Sequence, residues 1–232
     1  TLSSSSAASD VYKRQRSILA DDHGVQPQDV TWVRGGIDQP GRAEKIELKL
    51  PDGVVMVNAP ADTTISDLLD RGDIDGFMAP RAPSGAARSN PAIGWLFDDP
   101  TATAKDYYRR TGIFPIMHVL GVRKELAERH PWLPAALFKA FSLAKAAALD
   151  KLDDTSATKV TLPFVEEQLR AARQTMGPDY WSYGVADNLP TLEAFTRHHH
   201  AQGLSARHVP VSELFHPCLL YTSDAADEED SV

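Results

Sequence analysis

The stretch TTISDLLDRGDIDGFMAPRAP, residues 63–83, constrains the fold more than any other part of the chain because two periodicities meet in it. A threonine able to cap a helix precedes Ile65, Leu68 and Leu69 at helical spacing, and Gly72 stops the run. The apolar IDGFMAP that follows has no helical period and predicts a buried strand. A helix leading directly into a buried strand is half of an α/β layer, so the expected class is α/β.

The flanking segments extend that pattern. RSILADDHGV predicts the end of a helix at Gly24, and QPQDVTWVRGG a turn and a short strand running out at a glycine pair, with Arg34 directed into a loop. In GRAEKIELKLPDGVVMVNAP, Ile46, Leu48 and Leu50 alternate before a Pro-Asp-Gly turn, predicting two strands joined by a turn. RAPSGAARSNPAIG has loop composition, and TATAKDYYRRTG a short helix closing at Gly112 before the apolar IFPIMHVLGV. Beyond it, RKELAERHPWLPAALFKAFSLAKAAALDKL predicts two helices, the second opened by Pro134 with Leu137, Phe141, Ala144 and Ala148 on its packed side. LPFVEEQLRAARQTMG and LPTLEAFTRHHHAQG predict two more helices stopped by glycine. Strands separated by helices, then a helical C-terminal half, predict a mixed sheet.

The two ends stand apart from this text. Thr1–Gln15 and Cys218–Val232 read as translations of opposite strands of one sequencing-adapter oligonucleotide, and residues 1–15 and 218–232 are expected to be loose, disordered appendages. The natural segment expected is Arg16–Pro217, cut from a longer reading frame whose true N-terminus lies upstream. Leaving out Lys13, Arg14 and the acids Asp10, Asp224, Asp227, Glu228, Glu229 and Asp230 takes the formal charge from −8 to −4. A mildly acidic segment without a basic stripe gives no reason to expect nucleic acid. The only cysteine, Cys218, falls in the excluded tail, which removes disulfides and thiolate chemistry from the rest. No apolar run reaches the roughly 18 residues of a membrane span. The chain has no P-loop, GxGxxG, GxSxG or HExxH pattern.

Arg34 in VRGG, Arg81 in APRAP and His118 in IFPIMHV stand where strands are expected to end, the usual place for ligands in open α/β sheets. Glycines beside Arg34 would let a planar anion approach the backbone, and prolines around Arg81 would stiffen a guanidinium able to grip a carboxylate with two parallel bonds. Each arginine could equally be a surface loop residue. His118 suits proton transfer near neutral pH, but a histidine in an apolar run is more often a hydrogen-bonded core residue. Tyr107, Tyr108, Arg109 and Arg110 could stack on a ring and clamp an anion, or simply form a basic helix end. His198, His199 and His200 point about 100° apart on a helix and cannot converge on one ion. Tyr180, Trp181 and Tyr183 could wall a pocket or fill a core.

At VTWVRGG, GDIDGFMAPRAP, YYRRTGIFPIMHVLGVRKELAERHPWLPAALFKAF, YWSYGVADNLPTLEAF and QGLSARHVPVSELF the chain resembles the 4,5-dihydroxyphthalate decarboxylase family. The resemblance covers nearly all of Arg16–Pro217, most specifically at RRTGIFPIMH. It implies a type II periplasmic-binding-protein-like fold of two α/β lobes around a ligand cleft, with the N-terminal part of lobe 1 missing. Residues 16–112 would be mainly the second lobe, and 113–217 a returning segment with C-terminal helices. It further implies a cytoplasmic carboxy-lyase acting on a small aromatic dicarboxylate, the truncated chain itself being inactive. His118 would transfer the proton, Arg34 and Arg81 anchor a carboxylate, and Tyr108 with Arg109 contact the ring or its hydroxyls. No cofactor is expected, with a divalent metal, export and the oligomeric state left open. The competing expectation is a solute-binding protein that delivers a small organic anion to an ABC transporter.

Overall fold

The structure is a computed structural model that describes residues 18–41, 50–79, 81–85, 89–156 and 159–221. It is α/β, with a small parallel sheet and many helices. Helix α1 covers 18–23 and ends at Gly24 as expected. After a 3-10 turn at Pro27–Asp29 come β1 (Thr31–Arg34) and β2 (Val55–Asn58), then α2 (Ile65–Arg71) and α3 (Pro100–Thr111). The remaining helices are α4 (Lys124–Arg129), α5 (Leu133–Asp153), α6 (Val165–Met176) and α7 (Leu189–Ala201), with 3-10 turns at Val211–Glu213 and Pro217–Leu219. The chain forms two compact units, one running to Pro100 and including Phe195–His208, the other Thr101–Ala194 with Val209 onward.

In the first unit, β1 and β2 pair in parallel with Thr31 level with Val55 and Arg34 level with Asn58. The expected partner of β2 across the Pro-Asp-Gly turn falls on residues 42–49, outside the described residues, and among those described the sheet is parallel rather than mixed. Helix α2 forms as its sequence dictates. Thr64 Oγ accepts from the Asp67 amide at 3.0 Å while Asp67 returns a bond to the Thr64 amide, satisfying two donors of the first turn. Gly72, at φ 74°, turns the chain left-handed and its amide reaches the carbonyls of Leu68 and Leu69. Ile65, Leu68 and Leu69 are all buried.

The strand expected at IDGFMAP is absent: residues 74–79 have no regular structure. An apolar run becomes a strand only when a neighbour takes its amides and carbonyls, and neither described strand lies beside this one. Arg34 is not directed into a loop either. Its Nε and one terminal nitrogen both donate to Asn58 Oδ1, at 3.1 and 2.8 Å, across the level pair at the end of the sheet.

The second half of α7 belongs to this unit. Asp21 on α1 accepts from Arg197 at 3.3 Å and meets His198 Nε2 at 2.9 Å. Burial, and after it the charge of Arg197, hold His198 below the ordinary histidine value, outweighing the opposite pull of Asp21.

In the second unit, Val185, Leu192 and Val211 form a small buried cluster, with Ile116, Phe215 and Leu220 packed against it. Helix α5 does not bury the expected stripe. Leu137 is half-buried as predicted, but Phe141, Ala144 and Ala148 face solvent, and the inner face runs through Pro134, Phe138, Ser142, Lys145, Leu149 and Leu152. The physical reason is Lys145. Its ammonium is almost fully covered, 2.9 Å from Asp179 and 5.1 Å over the Tyr183 ring, so a charged residue lies on the packed side. Of the two terminal stretches, residues 1–15 and 222–232 lie outside the described residues. Cys218 and Tyr221 are exposed, whereas Leu220 is packed.

Two outcomes follow. Thr64→Ala removes the cap of α2 and should lower stability by about 1 kcal/mol. Thermal unfolding should show a Tm reduced by a few degrees, and an unchanged Tm would contradict the role of the cap. Because folding depresses the His198 pKa, the unfolded chain takes up that proton first as pH falls below about 6.5. Stability should therefore drop between pH 7.5 and 5.5, and His198→Gln should shrink that drop; an equal drop in both proteins would be inconsistent with a half-buried neutral imidazole.

Candidate functional site

The C-terminal end of the β1–β2 sheet gathers several polar groups by a sequence of close contacts. Gly35 follows Arg34, and a Cβ built there would stand 3.0 Å from Ala59 Cβ and 3.0 Å from Ile65 Cδ1. The first glycine therefore serves close packing of the chain on itself, not the approach of an anion. The Gly36 carbonyl then accepts from the Ile65 amide at 3.0 Å and the Ile37 carbonyl from the Ser66 amide at 3.1 Å, tying the loop after β1 to the first turn of α2.

The next residue is Asp38. Its Oδ1 accepts from Ser66 Oγ at 2.8 Å, Ser84 Oγ at 2.6 Å and the Ser84 amide at 3.3 Å. These bonds, the Ser84 hydroxyl first and the Ser66 hydroxyl next, hold its carboxyl below the usual range, and the charge of Arg81 adds to the effect. The loop carrying Arg81 is thus joined to the end of the sheet. Arg81 itself is exposed and makes no hydrogen bond to another described residue. Arg34, intermediate in exposure as a residue, spends two guanidinium N–H groups on Asn58 and keeps the rest of its donor fork. Two cations and a carboxylate-pinned loop at the end of a parallel pair suit recognition of an anionic, planar group.

Tyr108, Arg109 and His118 belong to the second unit. The YYRR run does not act as one clamp. Arg109 donates to Asp106 at 2.7 Å, and Arg110 lies 5.6 Å over the Tyr107 ring, so neighbours on the helix pair with different partners three residues back. The Arg109 pair is well exposed and contributes little to stability. Tyr108 is half-buried. His118 is not a core histidine: it is exposed, between Met117 and Val119, which are 50% and 71% exposed, and it has no hydrogen bond to another described residue. Four residues before it, Phe114 meets Trp181 edge to face at 5.5 Å, and both rings remain open to solvent. Tyr183 instead lies under Lys145, so the aromatic DYWSYG run divides between surface and interior.

The three histidines of α7 diverge as their spacing requires: His198 meets Asp21, His199 the Phe195 ring at 5.4 Å, and His200 Nδ1 the Ser205 carbonyl at 3.2 Å. Among the described residues no three His, Cys, Asp or Glu side chains converge on a point that could hold a metal ion, and no helix is long and apolar enough to cross a membrane. Sequence reasoning missed Asp38, whose partners lie 28 and 46 residues away.

No family model matches the chain. Compared with curated proteins, it is 56% identical over 205 residues to a protein of Comamonas testosteroni named 4,5-dihydroxyphthalate decarboxylase, a match covering 88% of this chain and 62% of that protein. It is 47% identical over 94 residues, 40% of this chain and 36% of the other, to a protein of the same name from Pseudomonas putida. The chain therefore spans about 62% of the length of the first of these relatives. The resemblance read from its motifs holds over nearly its whole extent, and the chain is a homologue of proteins named 4,5-dihydroxyphthalate decarboxylase.

Proposed function

We propose that the whole protein to which this stretch belongs converts 4,5-dihydroxyphthalate to protocatechuate and CO2. The observation that carries this reading is the 56% identity sustained over 205 residues.

The chemistry sets what the residues must do. Direct loss of CO2 would leave an aryl carbanion. Protonating the ring carbon that bears the carboxylate avoids it, because the hydroxyl para to that carbon feeds electron density into the ring. The C–C bond then breaks, its electron pair restores aromaticity, and one proton is consumed for each CO2 released. Such a reaction needs a general acid, an anchor for the carboxylate that stays, and surroundings that exclude water.

In this reading His118 delivers the proton, and its exposed imidazole is open to a ring. Arg34 and Arg81 hold the carboxylate that stays. Tyr108 and Arg109 contact the ring or its hydroxyls, Arg109 by exchanging its Asp106 partner for substrate.

The fold proposed is the two-lobe, type II periplasmic-binding-protein-like architecture, with residues 16–112 mainly the second lobe and 113–217 the returning segment and C-terminal helices. Two features favour further chain packed on what is described. Val55 and Val57 are 52% and 45% exposed on a parallel pair, a sheet type that is otherwise covered on both faces. Among the described residues no large side chain is fully buried. In this reading the chain alone is inactive and the whole protein is cytoplasmic.

The full-length natural protein, incubated with 4,5-dihydroxyphthalate, should release one CO2 per protocatechuate formed. Binding without release would replace the decarboxylase reading with that of a solute-binding protein. His118→Ala should lower kcat by about 10²- to 10⁴-fold, and wild-type turnover in that variant would remove the histidine from the mechanism.

A further inference from the structure

We propose that Asp38 is a positioning residue that fixes the Arg81 loop over the end of the β1–β2 sheet and so sets the affinity for the substrate carboxylate. The inference rests on the anchoring role given to Arg81 above. Asp38 is the point at which three separate segments meet: the loop leaving β1, the first turn of α2 through Ser66, and the loop after Arg81 through Ser84.

The three are unequal in rigidity. Ser66 is buried in a capped helical turn, and the backbone of Gly36 and Ile37 is bonded to that same turn, so Asp38 itself is held from behind. Among the described residues the Ser84 end has no such support. Among the described residues, side-chain bonds tie the stretch from Arg81 to Asn90 back to the unit at two places, Ser84 on Asp38 and Asn90 on Asp70. Pro83 stands next to Ser84, and its ring fixes φ, so holding Ser84 restricts the backbone reaching back to Arg81. A carboxylate is suited to this task because one oxygen can take both a hydroxyl and an amide from Ser84 while keeping the Ser66 hydroxyl. Its charge also draws the Arg81 guanidinium toward the sheet end without occupying the donor fork in a hydrogen bond.

The test compares Asp38→Ala, Asp38→Asn and Ser84→Ala in the full-length protein, measuring KM and kcat for CO2 release, Kd for 4,5-dihydroxyphthalate by calorimetry, and Tm. Asp38→Ala should raise KM and Kd by about tenfold or more, with kcat within about twofold, since an anchor bound equally before and during reaction affects KM alone. Asp38→Asn keeps an oxygen for Ser66 and Ser84 and should restore most of the affinity. Ser84→Ala should shift Kd in the same direction by less, and serves where Asp38→Ala does not fold. In an Arg81→Ala background, Asp38→Ala should add nothing further to Kd, because its effect passes through Arg81.

A lowered Tm with unchanged KM and Kd, or a Kd penalty that persists at full size without Arg81, overturns the role of Asp38. If the wild type binds 4,5-dihydroxyphthalate but releases no CO2, the reaction fails while the same Kd comparisons decide the role. A wild type that binds none of it overturns both.

Discussion

The arrangement at the end of the small sheet depends on one close approach. Gly35 admits Ala59 and Ile65 to distances that a side chain at that position would forbid. Because the chain after β1 can press against α2 there, the carbonyls of Gly36 and Ile37 reach the amides of Ile65 and Ser66, and the first turn of the helix is held against the strand exit. Those amides would otherwise be unpaired, so packing and polar satisfaction are met by the same contact. Asp38 is delivered by that crossing to Ser66 and Ser84, and Arg34 is held level with Asn58 by the strand register. Tight packing, register and a single carboxylate thus bring Arg34 and the Arg81 loop to the same end of the sheet.

What could be read in the sequence was local. Thr64 and Gly72 bound α2 as their chemistry requires, and the helices before Gly112, Gly177 and Gly203 end where glycine follows the apolar period. The α/β class holds through β1 and β2, not through the strand expected at IDGFMAP. What could not be read depended on partners far along the chain. IDGFMAP has the composition of a strand but no described neighbour to pair with. The inner face of α5 was misplaced because Lys145 points inward to Asp179, 34 residues on, while Phe141 is left outside. No pattern within α5 signals that exchange.

The candidate site shows the same division. Arg34 and Arg81 were visible as cations beside glycine and proline, yet Asn58 and Asp38, which hold the one guanidinium and the loop of the other, were not. Tyr108 and Arg109 were grouped by adjacency, whereas a helix pairs residues three or four apart, a spacing that could have separated them from the sequence alone. The apolar run around His118 suits a core histidine as well as a catalytic one. The exposure of His118 removes the core reading and leaves an imidazole free to meet a ligand.

In the proposed function, one carboxylate of a dihydroxylated aromatic dicarboxylate rests on Arg34 and Arg81 at the end of the β1–β2 sheet. The most direct measurement is a crystal structure of the full-length protein with 4,5-dihydroxyphthalate bound, His118→Ala being used to block turnover. The account predicts one carboxylate within hydrogen-bonding distance of both guanidinium groups, with the Asp38–Ser84 bonds intact. A ligand bound elsewhere, with neither the Arg34 nor the Arg81 guanidinium on a carboxylate, would contradict it.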